Sequence, residues 1–155
     1  MPLQDDSYRP IEHLQASLGV VVADLFTMLN ARMSDEVVPH AITSMEYSLL
    51  WYCLEGERTA TQLARVLPVD GSRISRMVTR LVDKGLLLRR RRRSDRRIVM
   101  LRLTDEGSEV ASLIYRNMKR HYVMLTEDIS AEDLRVFASV CSRVLANHAA
   151  DRQSE

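Results

Sequence analysis

Residues 86–107, LLLRRRRRSDRRIVMLRLTDEG, set the tightest limit on how this chain can fold. Seven arginines fill the nine positions 89–97, yet Leu86, Leu87 and Leu88 precede them and Ile98, Val99, Met100 and Leu101 follow. Guanidinium groups stay charged and are almost never buried unpaired, so the run belongs on a surface while its apolar frames belong inside. A segment that leaves a core as it turns basic and returns as it turns apolar reads as a β-hairpin. Residues 86–92 form one strand, 93–96 the turn and 97–103 the return. Val99, Leu101 and Leu103 share one face by the two-residue period.

The preceding residues are organised by helix signals. Thr59 and Gln62 form a capping box that opens a short helix bearing Leu63, Ala64, Val66 and Leu67. Pro68 forbids its smooth continuation. Asp70 is placed to cap a second helix, and Gly85, after Lys84, to stop it. Two short helices with a tight break read as helix-turn-helix. On the second, Ile74, Met77, Val78 and Leu81 recur at i, i+3, i+4 and i+7 and mark the buried stripe. Ser72, Arg73, Arg76, Thr79 and Arg80 fall opposite. Arginine can give two hydrogen bonds to guanine, and hydroxyls reach bases or phosphates, so that face suits a major-groove reader. A hairpin after such a helix is a wing, whose basic tip suits the narrower minor groove.

Helices flank this block. Ile11, Leu14, Leu18, Val21, Leu25 and Met28 step by three and four, a seam for packing on other helices or across a subunit interface. Pro39 closes the following loop. Thr43 and Glu46 form another capping box, for a helix with Tyr47, Leu50, Trp51 and Leu54 that Gly56 ends. Thr104 can cap a long helix carrying Val110, Leu113, Ile114, Met118, Val123 and Met124. Ser130 and Asp133 open a last one with Leu134, Phe137, Val140, Cys141, Val144 and Leu145.

Charge sharpens the reading. The formal net charge is only +1, but residues 58–102 hold 14 Lys+Arg against three acids, leaving 8 basic and 18 acidic residues elsewhere. Such a split implies one segment that meets a polyanion. Nucleic acid is favoured over a membrane surface because the basic segment lacks a broad lipid-facing stripe. No run approaches a membrane span, and the N-terminus lacks a secretory pattern, so a cytoplasmic protein with residues 1–9 as a disordered tail is expected. Cys53 and Cys141 make no disulfide framework or metal spacing, and His13, His40, His121 and His148 are scattered. Without a nucleophile elbow, a phosphate-binding glycine loop or a zinc-protease motif, no enzyme, cofactor or metal site is expected.

Asp95, Arg97, Leu101, Leu103, Thr104 and Gly107, in that spacing, resemble the wing motif of the MarR family of winged-helix transcription regulators. Thr43, Gln62-Leu63-Ala64, Leu81 and Gly85 extend the likeness over residues 43–107. The resemblance implies a mainly α fold with a small β-hairpin wing. Residues 10–155 would be one MarR-like domain, with a winged helix-turn-helix lobe at 43–107 and dimerisation helices at 10–38 and 108–149. It makes Arg97 the wing arginine that enters the minor groove, with Arg96 beside it, and Asp95 the carboxylate that orders Arg97. It assigns Ser72, Arg73, Arg76 and Arg80 to bases or phosphates, and Thr79 joins them as a DNA-binding residue by its place on the same helix face.

The expected function is that of a homodimeric regulator, a repressor, on a pseudo-palindromic double-stranded operator. The family likeness also implies a small aromatic or phenolic ligand in a cleft near His13, Tyr47, Trp51 and Tyr115, though core packing suits the aromatics as well. Oxidation-sensing relatives carry a reactive cysteine in the first helix, and none stands there. Two rivals remain: an architectural DNA-binding protein without sequence preference, and a protein-interaction module whose basic wing docks an acidic partner.

Overall fold

The computed structural model describes residues 10–92 and 94–151, with side chains inward of residue 17 and as far as residue 147, and at Ala150. The elements run α1 (Pro10–Val37), a 3-10 turn (Val38–His40), α2 (Ser44–Leu54), α3 (Ala60–Val66), α4 (Gly71–Asp83), β1 (Leu87–Arg91), β2 (Val99–Leu103), α5 (Asp105–Leu125) and α6 (Ala131–Asp151). The chain divides after Met118 into two compact units. The tail expected at 1–9 lies outside the described residues.

The helix starts follow the sequence signals. Thr43 Oγ1 accepts from Glu46 N at 3.2 Å while the Glu46 side chain accepts from Thr43 N, closing the box. Thr59 and Gln62 close the second in the same way. Each box satisfies backbone N–H groups that a helix's first turn leaves open. Gly85 ends the α4 segment at φ +72°, a left-handed conformation that a side chain would strain. The 3-10 turn closes at Ala41, also left-handed, whose carbonyl accepts from Lys84 Nζ at 2.6 Å.

The first unit's core joins Val37, Ile42, Leu49, Leu50, Leu63, Ile74, Leu81, Leu87, Leu101 and Ile114. α5 enters it through Gly107, Ala111, Ile114 and Met118, spaced by four, three and four, one stripe of a helix. The lobe's packing therefore extends to Met118, beyond the boundary expected at residue 107. Beyond Met118 the apolar residues of α5 turn outward, Val123 and Met124 being more than 60% exposed. α1 behaves likewise. Leu18, Val21 and Met28 of its seam are exposed, and so are Val20, Val22 and Phe26.

β1 and β2 pair antiparallel from Leu87↔Leu103 to Arg91↔Val99, shorter than expected at the tip. One further ladder bond, Arg92 N to the Ile98 carbonyl, continues the hairpin. Like charges facing each other across strands are unfavourable, which suits a loop rather than paired strand for Arg96 and Arg97. Along the face that Val99 shares with Leu101, Leu101 is buried and Val99, nearer the tip, is exposed; Met100 on the other face is buried. Arg58 adds a one-residue third strand, exchanging backbone bonds with Leu101 at 3.1 and 2.7 Å.

The wing's root is closed by backbone contact. Thr104 N donates to the Leu86 carbonyl, Thr104 Oγ1 to that of Gly85, and Gly107 N to Thr104 Oγ1. A Cβ at Gly107 would lie 1.9 Å from the Leu86 carbonyl oxygen, so only glycine fits.

Candidate nucleic-acid interface

Asp70 caps the start of α4, its Oδ1 accepting from Ser72 Oγ and from Arg73 N at 2.8 Å. The Ser72 hydroxyl first, then the Arg73 N–H, hold the Asp70 carboxyl below the usual carboxylate range, with a smaller contribution from the Arg76 charge. From this cap the helix buries Ile74, Met77, Val78 and Leu81 and exposes Ser72, Arg73, Arg76, Thr79 and Arg80. A depression of about 620 Å³ follows that face, lined by Arg73, Ser75, Arg76, Met77, Thr79 and Arg80.

The exposed side chains are not equally free. Arg80 Nε lies 2.8 Å from Glu46 Oε1, an ion pair without an aligned hydrogen bond at that oxygen. Glu46 is only 2% exposed, and its Oε2 accepts from both the backbone N–H and the hydroxyl of Thr43. A buried carboxylate needs such partners. Arg80 therefore pins α4 to α2 by its inner nitrogen, while the side chain as a whole is 57% exposed. Thr79 Oγ1 donates to the Ser75 carbonyl at 3.0 Å and accepts from Arg89 Nη2 at 2.7 Å. A hydroxyl has one proton to give, so those of Ser72 and Thr79 are both committed within the protein. The guanidinium groups of Arg73 and Arg76 make no hydrogen bond or close ion pair with a described residue.

On the wing, Asp95, Arg96 and Arg97 are all exposed. The expected carboxylate–guanidinium contact between Asp95 and Arg97 is not the one found. Asp95 Oδ1 accepts from the backbone N–H of Arg97 at 2.9 Å, and the Asp95 carbonyl accepts from Ile98 N. The carboxylate shapes the turn, since an Asx side chain reaches the N–H two residues on more readily than a mobile guanidinium. Arg93, inside the expected turn, lies outside the described residues.

Of the expected ligand residues, Trp51 and Tyr115 come together with ring centres 4.6 Å apart and planes tilted 31°. Tyr47 is buried on the same helix as Trp51. The His13 side chain lies outside the described residues. Cys53 is buried, and burial pushes its thiol up to about 11 despite the opposing charge of Arg58. Cys141 is free and half-buried. Among the described residues no three His, Cys, Asp or Glu side chains are placed to hold a metal, and no helix is long and apolar enough to cross a membrane.

Residues 41–98 match the family model of the MarR family. The chain is 30% identical over 91 residues to the uncharacterized HTH-type transcriptional regulator YdgJ of Bacillus subtilis, a match spanning 59% of this chain and only 56% of that relative. An E. coli MarR mutant complexed with operator DNA superposes with a TM-score of 0.70 at 24% identity, over 83% of this chain and 94% of that one. NadR in complex with 4-hydroxyphenylacetate gives 0.70 at 21%, over 93% and 97%. Both structural likenesses are likenesses of fold. In this chain α3 and α4 form the helix-turn-helix and β1–β2 the wing. Three roles escape sequence reasoning: the pairing of Glu46 with Arg80, the bridge of Arg58 to Leu101 and the bond of Arg89 to Thr79. The sequence shows these residues only as a capping glutamate and as members of the basic segment.

Proposed function

We propose that this chain is a sequence-specific, double-stranded-DNA-binding transcriptional regulator that acts in the cytoplasm as a dimeric repressor and is released by a small aromatic or phenolic ligand. One observation carries the DNA reading. The Arg89–Thr79 hydrogen bond ties the arginine-rich wing to the exposed arginine face of α4, making one basic surface from two elements. On it Arg73 and Arg76 have free guanidiniums suited to guanine edges, and Arg96 and Arg97 reach out at the tip. The operator complex of MarR supports this use of the fold, and the 4-hydroxyphenylacetate complex of NadR supports ligand control. Trp51 and Tyr115 form the aromatic pair against which such a ligand would pack.

A second copy of the chain is the occupant for the exposed apolar side chains of α1 and, in the second unit, of Val123, Phe137, Val140 and Val144. Soluble monomers rarely expose so many large apolar groups, and a two-fold dimer would present two α4 helices to half-sites about one DNA turn apart. The test is selection of binding sites from random-sequence duplexes, with light scattering for mass. A pseudo-palindromic consensus and a mass of two chains support the reading. Retention of all sequences alike favours an architectural DNA-binding role, and a monomer contradicts the dimer.

A further inference from the structure

Resting on the DNA-binding reading above, we infer that Arg89 is a phosphate contact at the seam between α4 and the wing, and that Thr79 is its positioning residue. Arg89 pairs with Leu101 across the hairpin and so shares the face on which Leu87 and Leu101 are buried. It is the first residue of that row to emerge from the core, where β1 lies against α4. There its Nη2 donates to Thr79 Oγ1, whose own proton goes to the Ser75 carbonyl.

The chemistry of the partner decides the role. Arg32, Arg58, Arg80 and Arg135 each pair with a carboxylate. Arg89 has a neutral hydroxyl instead, and no described carboxylate pairs with it. A hydroxyl oxygen fixes a guanidinium without neutralising it, leaving a full positive charge with further donors in a defined place. The major and minor grooves are separated by one phosphate strand. A duplex with α4 in its major groove and the wing tip in the adjacent minor groove must pass that strand over the junction of the two elements, where Arg89 sits. Contacts to phosphate set register and carry no base information, which matches a residue at the root of the wing rather than at its tip.

The test compares wild type, Arg89→Ala, Arg89→Lys, Thr79→Val and the double variant Thr79→Val/Arg89→Ala, each first shown by thermal melting to be folded. Each is titrated with a selected duplex and a scrambled duplex of equal length across a KCl series. Arg89→Ala lowers affinity about tenfold for both duplexes and reduces the salt slope by about 0.9 for each chain bound. Arg89→Lys, which keeps the charge, retains the slope. Thr79→Val lowers affinity about threefold in the wild type and not at all beside Arg89→Ala. An unchanged slope in Arg89→Ala, a loss confined to the selected duplex, or a Thr79→Val loss that persists beside Arg89→Ala overturns the inference. Wild type that binds neither duplex, even at low salt, overturns the DNA reading itself.

Discussion

Gly107→Ala asks the wing's root to accept a single methyl group. The added carbon would lie 1.9 Å from the Leu86 carbonyl oxygen and 2.8 Å from its carbon. Ordinary carbon–oxygen contact is more than an ångström longer, so α5 and the start of the wing must separate. Three hydrogen bonds oppose this: Thr104 N to Leu86 O at 3.2 Å, Thr104 Oγ1 to Gly85 O at 2.7 Å, and Gly107 N to Thr104 Oγ1 at 2.8 Å. At about 1 kcal/mol each, with about 1–3 kcal/mol for repacking and less about 1 kcal/mol for alanine's higher helix propensity, the net loss is about 3–5 kcal/mol. A domain of this size loses about 2–4 °C per kcal/mol, so Tm should fall by roughly 6–20 °C. Helix propensity acts in the opposite direction, alanine being better than glycine by up to about 1 kcal/mol. The sign is therefore diagnostic in a thermal melt followed by circular dichroism. An unchanged or raised Tm would refute the close approach of α5 to Leu86.

Arg76→Ala should cost about 1–3 kcal/mol of DNA affinity and relax preference at one base position; equal losses on selected and scrambled DNA would make it a phosphate contact. Cys53, its thiol pushed up to about 11, should resist iodoacetamide at pH 8 in the folded protein and react on unfolding. Rapid labelling of Cys53, located by peptide mass, would contradict its burial. Asp70, with its carboxyl held low when folded, contributes stability that is full above its ordinary value of about 3.9 and is lost as pH falls through the depressed value. Asp70→Asn should flatten that acid limb of the stability profile, and an unaltered limb would show that the cap is not its source.

The local grammar of the fold was legible because each signal lies within a few residues. Thr43 with Glu46, Thr59 with Gln62, and Asp70 each act over one helical turn, and Ile74, Met77, Val78 and Leu81 form a stripe that only one helix orientation buries. What escaped depends on residues far apart. Glu46 and Arg80 meet across 34 positions, so the sequence shows a capping glutamate and an exposed arginine, never their pairing. Thr79 reads as a hydroxyl open to DNA until Arg89 arrives from the next element to occupy it. Arg58 joins the sheet through one residue, too little for a period of two to register. Asp95 shows the subtlest gap: its place in the turn was readable, but whether it held the backbone or the guanidinium of Arg97 needed coordinates.

The central claim is that α4 and the wing together read a DNA sequence. Fluorescence anisotropy of the protein on its selected duplex and on a scrambled duplex, at several salt concentrations, tests it most directly. The account predicts affinities at least a hundredfold apart, roughly, with steep salt dependence on both. Equal affinity for the two duplexes, or no binding at low salt, would contradict it.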